Sequence, residues 1–150
     1  MADKITVKIE GGEELKRRLK KLGQAAAGAA LVKAGEAGAK VLQKAANSRA
    51  PGPHIEAEVV KVDADSVQVE IGPDKEHFYY QFFETGAAPH NIHGNPLVFE
   101  GREGTVFTPG VRHPGMGARP FLRPALDEKQ DAAVKAAGDV LRSKIDKVAR

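Results

Sequence analysis

Cysteine and tryptophan are absent from these 150 residues, and the only other aromatic side chains are six Phe and two Tyr. Without cysteine, the chain has no disulfide framework and no thiolate metal site. No apolar run approaches the roughly 18 residues that a membrane-spanning helix needs, and MADKITVKIE lacks the apolar segment of a signal peptide. We therefore expect one domain, residues 1–150, made in a cytoplasm and with no membrane partner.

Catalytic motifs are missing as well. The serines at 48, 66 and 143 and the four threonines lie in no nucleophile-elbow context. The chain has neither a P-loop nor a glycine-rich dinucleotide-binding motif. These absences predict a protein that is not an enzyme and that carries no cofactor.

Charge is distributed in opposed blocks although the net charge is only +3. Residues 1–50 hold 11 Lys/Arg and 5 Asp/Glu, whereas residues 51–86 hold 2 and 8. A sequence-specific nucleic-acid binder usually has a basic excess without an equal acidic block beside it. Opposed blocks fit surfaces that meet within the fold or between copies, and the basic run LKRRLKKL (15–22) fits the solvated face of a helix.

Hydrophobic periodicity outlines the first half of the chain. KITVKIE (4–10) alternates as a strand does, and apolar residues from Leu15 to about Asn47 follow helical spacing. Glycines at 23, 28, 35 and 38 either kink this helix near 23–28 or let a neighbouring element approach closely. Two further alternating stretches, 55–62 and 66–71, predict a hairpin.

The second half is less regular. HFYYQFFETG (77–86) fits a helix and a strand equally well, and we expect it to anchor the core with its aromatic rings. Residues 87–119 are too long for an ordinary loop, and Leu97–Phe99 and Thr105–Thr108 predict two short strands of an extended β-arm. From Pro124 an amphipathic helix runs to the C-terminus. The order predicts an α+β fold, in which a small, mainly antiparallel sheet is packed by a long N-terminal helix and a C-terminal helix.

The stretch RHPGMGARPFLRPALDE (112–128) is stiff, basic and apolar at once. Pro120 disfavours helical geometry at Arg119, so we expect Phe121 and Leu122 to enter the core in an extended pose and Pro124 to start the helix. On this interpretation the stretch is a structural latch that sets the angle of the β-arm. The latch residues are Pro114, Gly115, Pro120, Phe121, Leu122 and Pro124.

Three histidines in the β-arm are the candidates for a metal site. His90, His93 and His113, with Glu84 as a carboxylate, are residue types that bind zinc. The PHNIH spacing is not a helical pair, because Pro89 and the Gly94–Pro96 run keep the backbone irregular. We interpret these histidines as polar loop residues and expect no metal.

Four segments of this region resemble a known family. They are FFETG (82–86), PHNIHG (89–94), LVFEGREGTVFTPGVRHPG (97–115) and ARPFLRPALDE (118–128). Together they resemble the head–tail joining, or tail-completion, family of small neck proteins from long-tailed, lambdoid-type bacteriophages. The predicted order of strand, long helix, hairpin, arm and C-terminal helix is also similar to that family.

The resemblance implies a structural virion protein of the head–tail interface, made in the host cytoplasm. It would form a homo-oligomeric ring that joins or completes the tail around the DNA exit channel. Its partners would be the connector or head-closure protein, the tail-terminator or tail-tube protein, and passing double-stranded DNA without sequence specificity. The expected assembly residues are Glu84, His90, His93, Arg102, Arg112, His113, Arg119 and Arg123.

Two alternatives remain open at this point. Instead of a neck protein that joins or completes the tail, the chain could be the tail terminator itself, a ring that caps the tube, or a metal-dependent DNA-processing enzyme that uses His90, His93 and His113. Copy number of the ring, and whether the β-arm faces the lumen or a neighbouring subunit, do not follow from the sequence.

Overall fold

The computed structural model describes residues 4–10, 24–63 and 66–148. Helices pack on a small antiparallel sheet, so the predicted α+β class is confirmed. Within that part of the chain, no helix combines the length and the apolar character that crossing a membrane requires. The elements are β1 (Ile5–Glu10), α1 (Gln24–Asn47), β2 (Ile55–Val62), β3 (Ser66–Pro73), α2 (Tyr80–Thr85), β4 (His90–Gly101), β5 (Gly104–His113) and α3 (Leu122–Val148).

The body of the molecule is built on a three-stranded sheet with the order β1–β3–β2. β3 lies in the middle and pairs antiparallel with both neighbours. Its Val67, Val69 and Ile71 are buried, because alternate residues of a strand point to the same face. The predicted hairpin of β2 and β3 is confirmed, and β3 extends to Pro73, two residues beyond the predicted end.

Helices α1 and α3 pack closely against each other, and α1 also packs on β2 and β3. A Cβ at Gly38 would lie 3.0 Å from the carbonyl oxygen of Ala133 in α3. A Cβ at Gly35 would lie 2.8 Å from Cγ1 of Val67. These two glycines therefore serve close approach, and α1 is a single helix from Gln24 to Asn47.

Several predictions for the N-terminal part fall on residues outside the described ranges. These are the helix start at Leu15, the basic run at 15–22 and the glycine at 23, where a kink was one of the two interpretations. The predicted first strand is confirmed as β1.

The end of α1 is tied to the start of β2 by side-chain hydrogen bonds. Oδ1 of Asn47 accepts the backbone N–H of Ile55 at 3.0 Å, and Nδ2 of Asn47 donates to the Ile55 carbonyl at 3.1 Å. Nε2 of Gln43 donates to the same carbonyl at 2.8 Å. The chain is thus held on both sides of the Pro51–Pro53 bend, and the position of His54 is fixed next to it.

The aromatic segment forms a turn followed by the short helix α2. Only Tyr80 is buried, whereas Phe78, Tyr79 and Phe82 are exposed. The expected aromatic core anchor is therefore wrong for these three rings. A helix of six residues turns one side to the core, and the remaining rings of so dense a cluster point outwards.

The β-arm contains a hairpin much longer than predicted. β4 has 12 residues and β5 has 10, in place of the expected Leu97–Phe99 and Thr105–Thr108. The register shifts between His93 and Leu97, where the Asn95–Pro96 peptide is cis. Proline inside a sheet is tolerated where its missing N–H faces no partner, and each strand of a two-stranded ribbon has one such free edge.

Helix α3 begins at Leu122, two residues before the predicted start. Pro124 lies in its first turn, where the absent N–H of proline costs no intrahelical hydrogen bond. Leu122 is therefore helical, and the extended pose expected for it is wrong. The burial of Phe121 and Leu122 is as predicted, with exposures of 1% and 3%.

Candidate functional site

The β-arm exposes apolar side chains on both of its faces. Val98 faces Phe107 across the ribbon, and Phe99 faces Val106 on the next rung. Successive residues of a strand point to opposite faces, so each face carries one of these pairs. All four side chains are exposed, and Phe107 is exposed by 68%.

The hairpin projects from the body. In the part of the chain that the structure describes, β4 and β5 pair with each other and have at most sparse contact with other elements. At about 3.3 Å per residue, the 12 residues of β4 span roughly 40 Å. No core of its own stabilises such a two-stranded ribbon.

The base of the β-arm is closed by backbone hydrogen bonds. Ala87 and Met116 exchange both N–H···O bonds at 2.9 Å. The turns beside this bridge need glycine, because φ is +77° at Gly86 and +79° at Gly115. A Cβ at Gly115 would overlap the Ala87 carbonyl oxygen. The two ends of the β-arm are thus locked together.

Glu84 caps the N-terminus of α3. Its Oε2 accepts the backbone N–H groups of Phe121 at 2.7 Å and Leu122 at 2.9 Å, and its Oε1 accepts that of Arg123 at 3.1 Å. The first N–H groups of a helix have no partner within it, and the helix dipole favours a negative charge there. The carboxylate that we assigned to an assembly surface is therefore bound to the chain's own backbone. No local capping pattern precedes α3, so this contact across 37 to 39 residues had no sequence signal.

A backbone hydrogen bond also joins α2 to the segment before α3. The backbone N–H of Arg119 donates to the Phe83 carbonyl at 2.6 Å. Phe121 then packs edge-on against Tyr80, with ring centroids 6.3 Å apart. The predicted latch residues thus lie where the β-arm returns to the body: Gly115 at the bridge, exposed Pro114 and Pro120 on the surface, and Phe121, Leu122 and Pro124 at the start of α3.

Apart from Glu84, the predicted assembly residues lie in four places. His90 and His113 face each other at the base of the hairpin, with their rings stacked 5.0 Å apart, and Arg112 is the next residue of β5. His93 pairs with Gly110 further along the ribbon. The remaining residues are exposed Arg102 in the turn at the tip, and exposed Arg119 and Arg123 beside the start of α3.

The structure does not assemble the proposed histidine trio. His93 is three positions along β4 from the stacked pair, which is about 10 Å at strand spacing. Among the described residues, the one cluster with metal-ligand geometry is instead His54, Asp74 and His77.

This cluster was missed at the level of sequence. Nδ1 of His77 lies 2.7 Å from Oδ1 of Asp74, and Nδ1 of His54 lies 3.4 Å from Oδ2. The two imidazoles stack with centroids 3.4 Å apart. The predicted hairpin held a signal, because a residue just before β2 and one just after β3 meet at its open end.

Two groups in this cluster have shifted pKa values. Burial disfavours ionisation of Asp74, but hydrogen bonds from the side chain and backbone of His77, and the charges of His77 and His54, outweigh it and lower the pKa of Asp74. Burial, with smaller contributions from Tyr79 and Asp74, raises the pKa of Tyr80. At neutral pH the cluster thus contains a carboxylate beside a protonated phenol.

Comparison with known proteins identifies no family: no protein-family model, no curated protein and no solved structure matches this chain. The resemblance of residues 77–128 to phage neck proteins stays a hypothesis from motifs.

Proposed function

We propose that this chain is a structural protein of the phage head–tail interface, which forms an oligomeric ring that joins or completes the tail around the DNA exit channel. The observation that carries the proposal is the projecting β-arm with bare apolar pairs on both faces. Exposed apolar patches of this kind mark interaction sites, and a two-stranded ribbon needs a further surface to become stable.

The surface best suited to cover the β-arm is that of a neighbouring copy of the chain. Phe82 is exposed on α2, and Phe78 and Tyr79 are exposed in the turn just before it. They offer an apolar surface to which the β-arm of the next subunit can dock. A closed ring repeats one such heterologous contact between every pair of neighbours.

Charge gives the contact a second component. Arg112 and His113 are exposed on β5, and Glu56 and Glu58 are exposed on β2. Complementary charges on two such surfaces favour encounter and fix register more than they add affinity. Glu56 and Glu58 are thus available to Arg112 and His113 of a neighbouring arm.

The test is assembly of the full chain, alone and together with the proteins encoded beside its gene, measured by sedimentation velocity and negative-stain microscopy. We expect rings, or stoichiometric binding to a connector or tail-tube partner. Phe107→Ser should abolish assembly, whereas Val134→Ser should not, although Val134 on α3 is equally exposed at 67%.

Charge variants extend this test. Arg112→Ala and Arg119→Ala should weaken assembly and leave the thermal midpoint unchanged, since both side chains are exposed. A chain that stays monomeric and binds neither neighbour would contradict the proposal. Binding to the tail-tube protein alone would instead favour the tail-terminator role.

A further inference from the structure

We propose that His54, Asp74 and His77 form a binding site for one divalent transition-metal ion of the zinc class. The site lies on the body, at the open end of the β2–β3 hairpin, and it does not depend on the proposed role in the phage neck. From the sequence we expected no metal site, and the only candidate histidines were those of the β-arm.

The donor set suits such an ion. Two imidazole nitrogens and one carboxylate are ligands that zinc accepts, with a fourth position left for water or another donor. One ligand atom from each residue can be chosen so that all three lie within 4.8 Å of one another. Zinc bonds of about 2.0–2.1 Å place tetrahedral ligand atoms roughly 3.4 Å apart. Ligand atoms up to 4.8 Å apart therefore have to move closer together when an ion binds, and the two stacked rings have to tilt so that their nitrogen lone pairs converge.

The backbone holds the three residues in this arrangement. Ile55 pairs with Pro73, and the N–H of Asp74 donates to the His54 carbonyl at 2.9 Å. The N–H of His77 donates to Oδ1 of Asp74 at 2.8 Å. Two strand ends and one tight turn therefore converge, and binding would order little further chain.

Outer groups orient the imidazoles. The ring of Tyr80 is buried and stands edge-on to both, with centroids 6.0 Å from His54 and 5.4 Å from His77. A Cβ at Gly52 would lie 2.8 Å from the Tyr80 hydroxyl and 3.5 Å from Nε2 of His54. Contact with these neighbours restricts how far the two rings can turn, as packing does around designed ligand sites.

The site is open to entering ions. Asp74 and His77 side chains are 21% exposed and His54 is 38% exposed. The two stacked imidazoles and the carboxylate present nitrogen and oxygen donors together at one point of the surface. Mixed nitrogen and oxygen donors favour Zn²⁺, Co²⁺ or Cu²⁺ over Mg²⁺ and Ca²⁺, which prefer oxygen alone.

The experiment uses the untagged full chain, stripped with a chelator and titrated with ZnCl₂ by calorimetry. Visible absorption with Co²⁺ then reports the ligand set. We expect one ion per chain and a Co²⁺ d–d spectrum typical of four-coordinate nitrogen and oxygen ligation. His54→Gln and His77→Gln should each weaken zinc binding at least tenfold, and His93→Gln in the β-arm is the matched imidazole control that should leave zinc binding unchanged.

Circular dichroism of each metal-free variant separates lost ligation from lost folding, and His54→Gln is the safer variant because its side chain is the most exposed of the three. The proposal is overturned if the native chain binds no zinc at millimolar concentration. It is also overturned if folded His54→Gln and His77→Gln bind as the native chain does, which would mean that the two imidazoles and Asp74 share protons only.

Discussion

Phe121 and Phe107 are residues of the same type, one buried in the body and the other exposed on the β-arm. Phe121 in the body is 1% exposed and packs against Tyr80, whereas Phe107 in the β-arm is 68% exposed. The body buries its apolar side chains between a sheet and two helices, and it is stabilised by that burial. Among the described residues, no second layer packs on the β-arm, so its apolar side chains contribute stability only when something else covers them.

The largest expected difference between these regions is at the two phenylalanines. Phe121→Ala should lower the free energy of unfolding by about 3–5 kcal/mol, because it leaves a cavity in a packed core. Phe107→Ala should change it by less than about 0.5 kcal/mol. Urea denaturation followed by circular dichroism measures both, and equal losses would show that the β-arm has a stabilising contact within the monomer.

The junction between the regions should be nearly as sensitive. Gly115→Ala places a Cβ on a residue with φ +79° and into the Ala87 carbonyl, at a cost of about 2 kcal/mol. Hydrogen exchange at the amides of Ala87 and Met116 should speed up accordingly. Gly117→Ala is the matched control, since a Cβ there meets nothing within 4 Å. Unchanged exchange in Gly115→Ala would mean that the bridge does not close the arm base.

The cap of α3 gives a smaller effect. Glu84→Gln keeps the shape but removes the charge from three N–H···O contacts, and we expect a loss of about 1–2 kcal/mol. Thermal denaturation provides the measurement, with Glu103→Gln in the exposed turn of the β-arm as the control. If both variants melt with the native chain, the Glu84 carboxylate contributes no stability to the helix start.

The smallest expected change stabilises the body alone. A Cβ at Gly28 meets nothing within 4 Å, so Gly28→Ala should add about 0.5–1 kcal/mol through helix propensity. Gly35→Ala should have the opposite sign, because its Cβ would press on Val67. Both are read by urea denaturation, and assembly of Gly28→Ala should match that of the native chain. A higher free energy of unfolding for Gly35→Ala would mean that β3 can shift away from α1 at little cost.

The body was predictable from sequence because its elements are periodic. Alternation identified β2 and β3, and helical spacing identified α1 and most of α3. Boundaries failed near prolines: Pro124 was taken as the start of α3, and the strands predicted at Leu97–Phe99 and Thr105–Thr108 extend past Pro96 and Pro109 in the structure. In each case proline occupies a position where its missing N–H costs nothing.

Contacts between distant segments were not predictable. Glu84 meets the start of α3 across 37 to 39 residues, and no local pattern marks a cap supplied from so far away. His54 and Asp74 are 20 positions apart, and they meet only because the hairpin register brings Ile55 opposite Pro73. The spacing of histidines along the chain suggested a metal site in the β-arm. The pairing of β2 with β3 instead brings the ligand cluster together on the body.

The Glu84 cap and the Ala87–Met116 bridge make the β-arm a closed loop from the viewpoint of the body. The residues between these two contacts do not pack into the core, so their number has little effect on core packing. The entropic cost of closing a loop also rises only slowly with its length. Paired insertions or deletions near the tip at Gly101–Gly104 would therefore lengthen or shorten the reach of the protein without refolding it. Variants of this chain with a longer or shorter arm should therefore keep the same body.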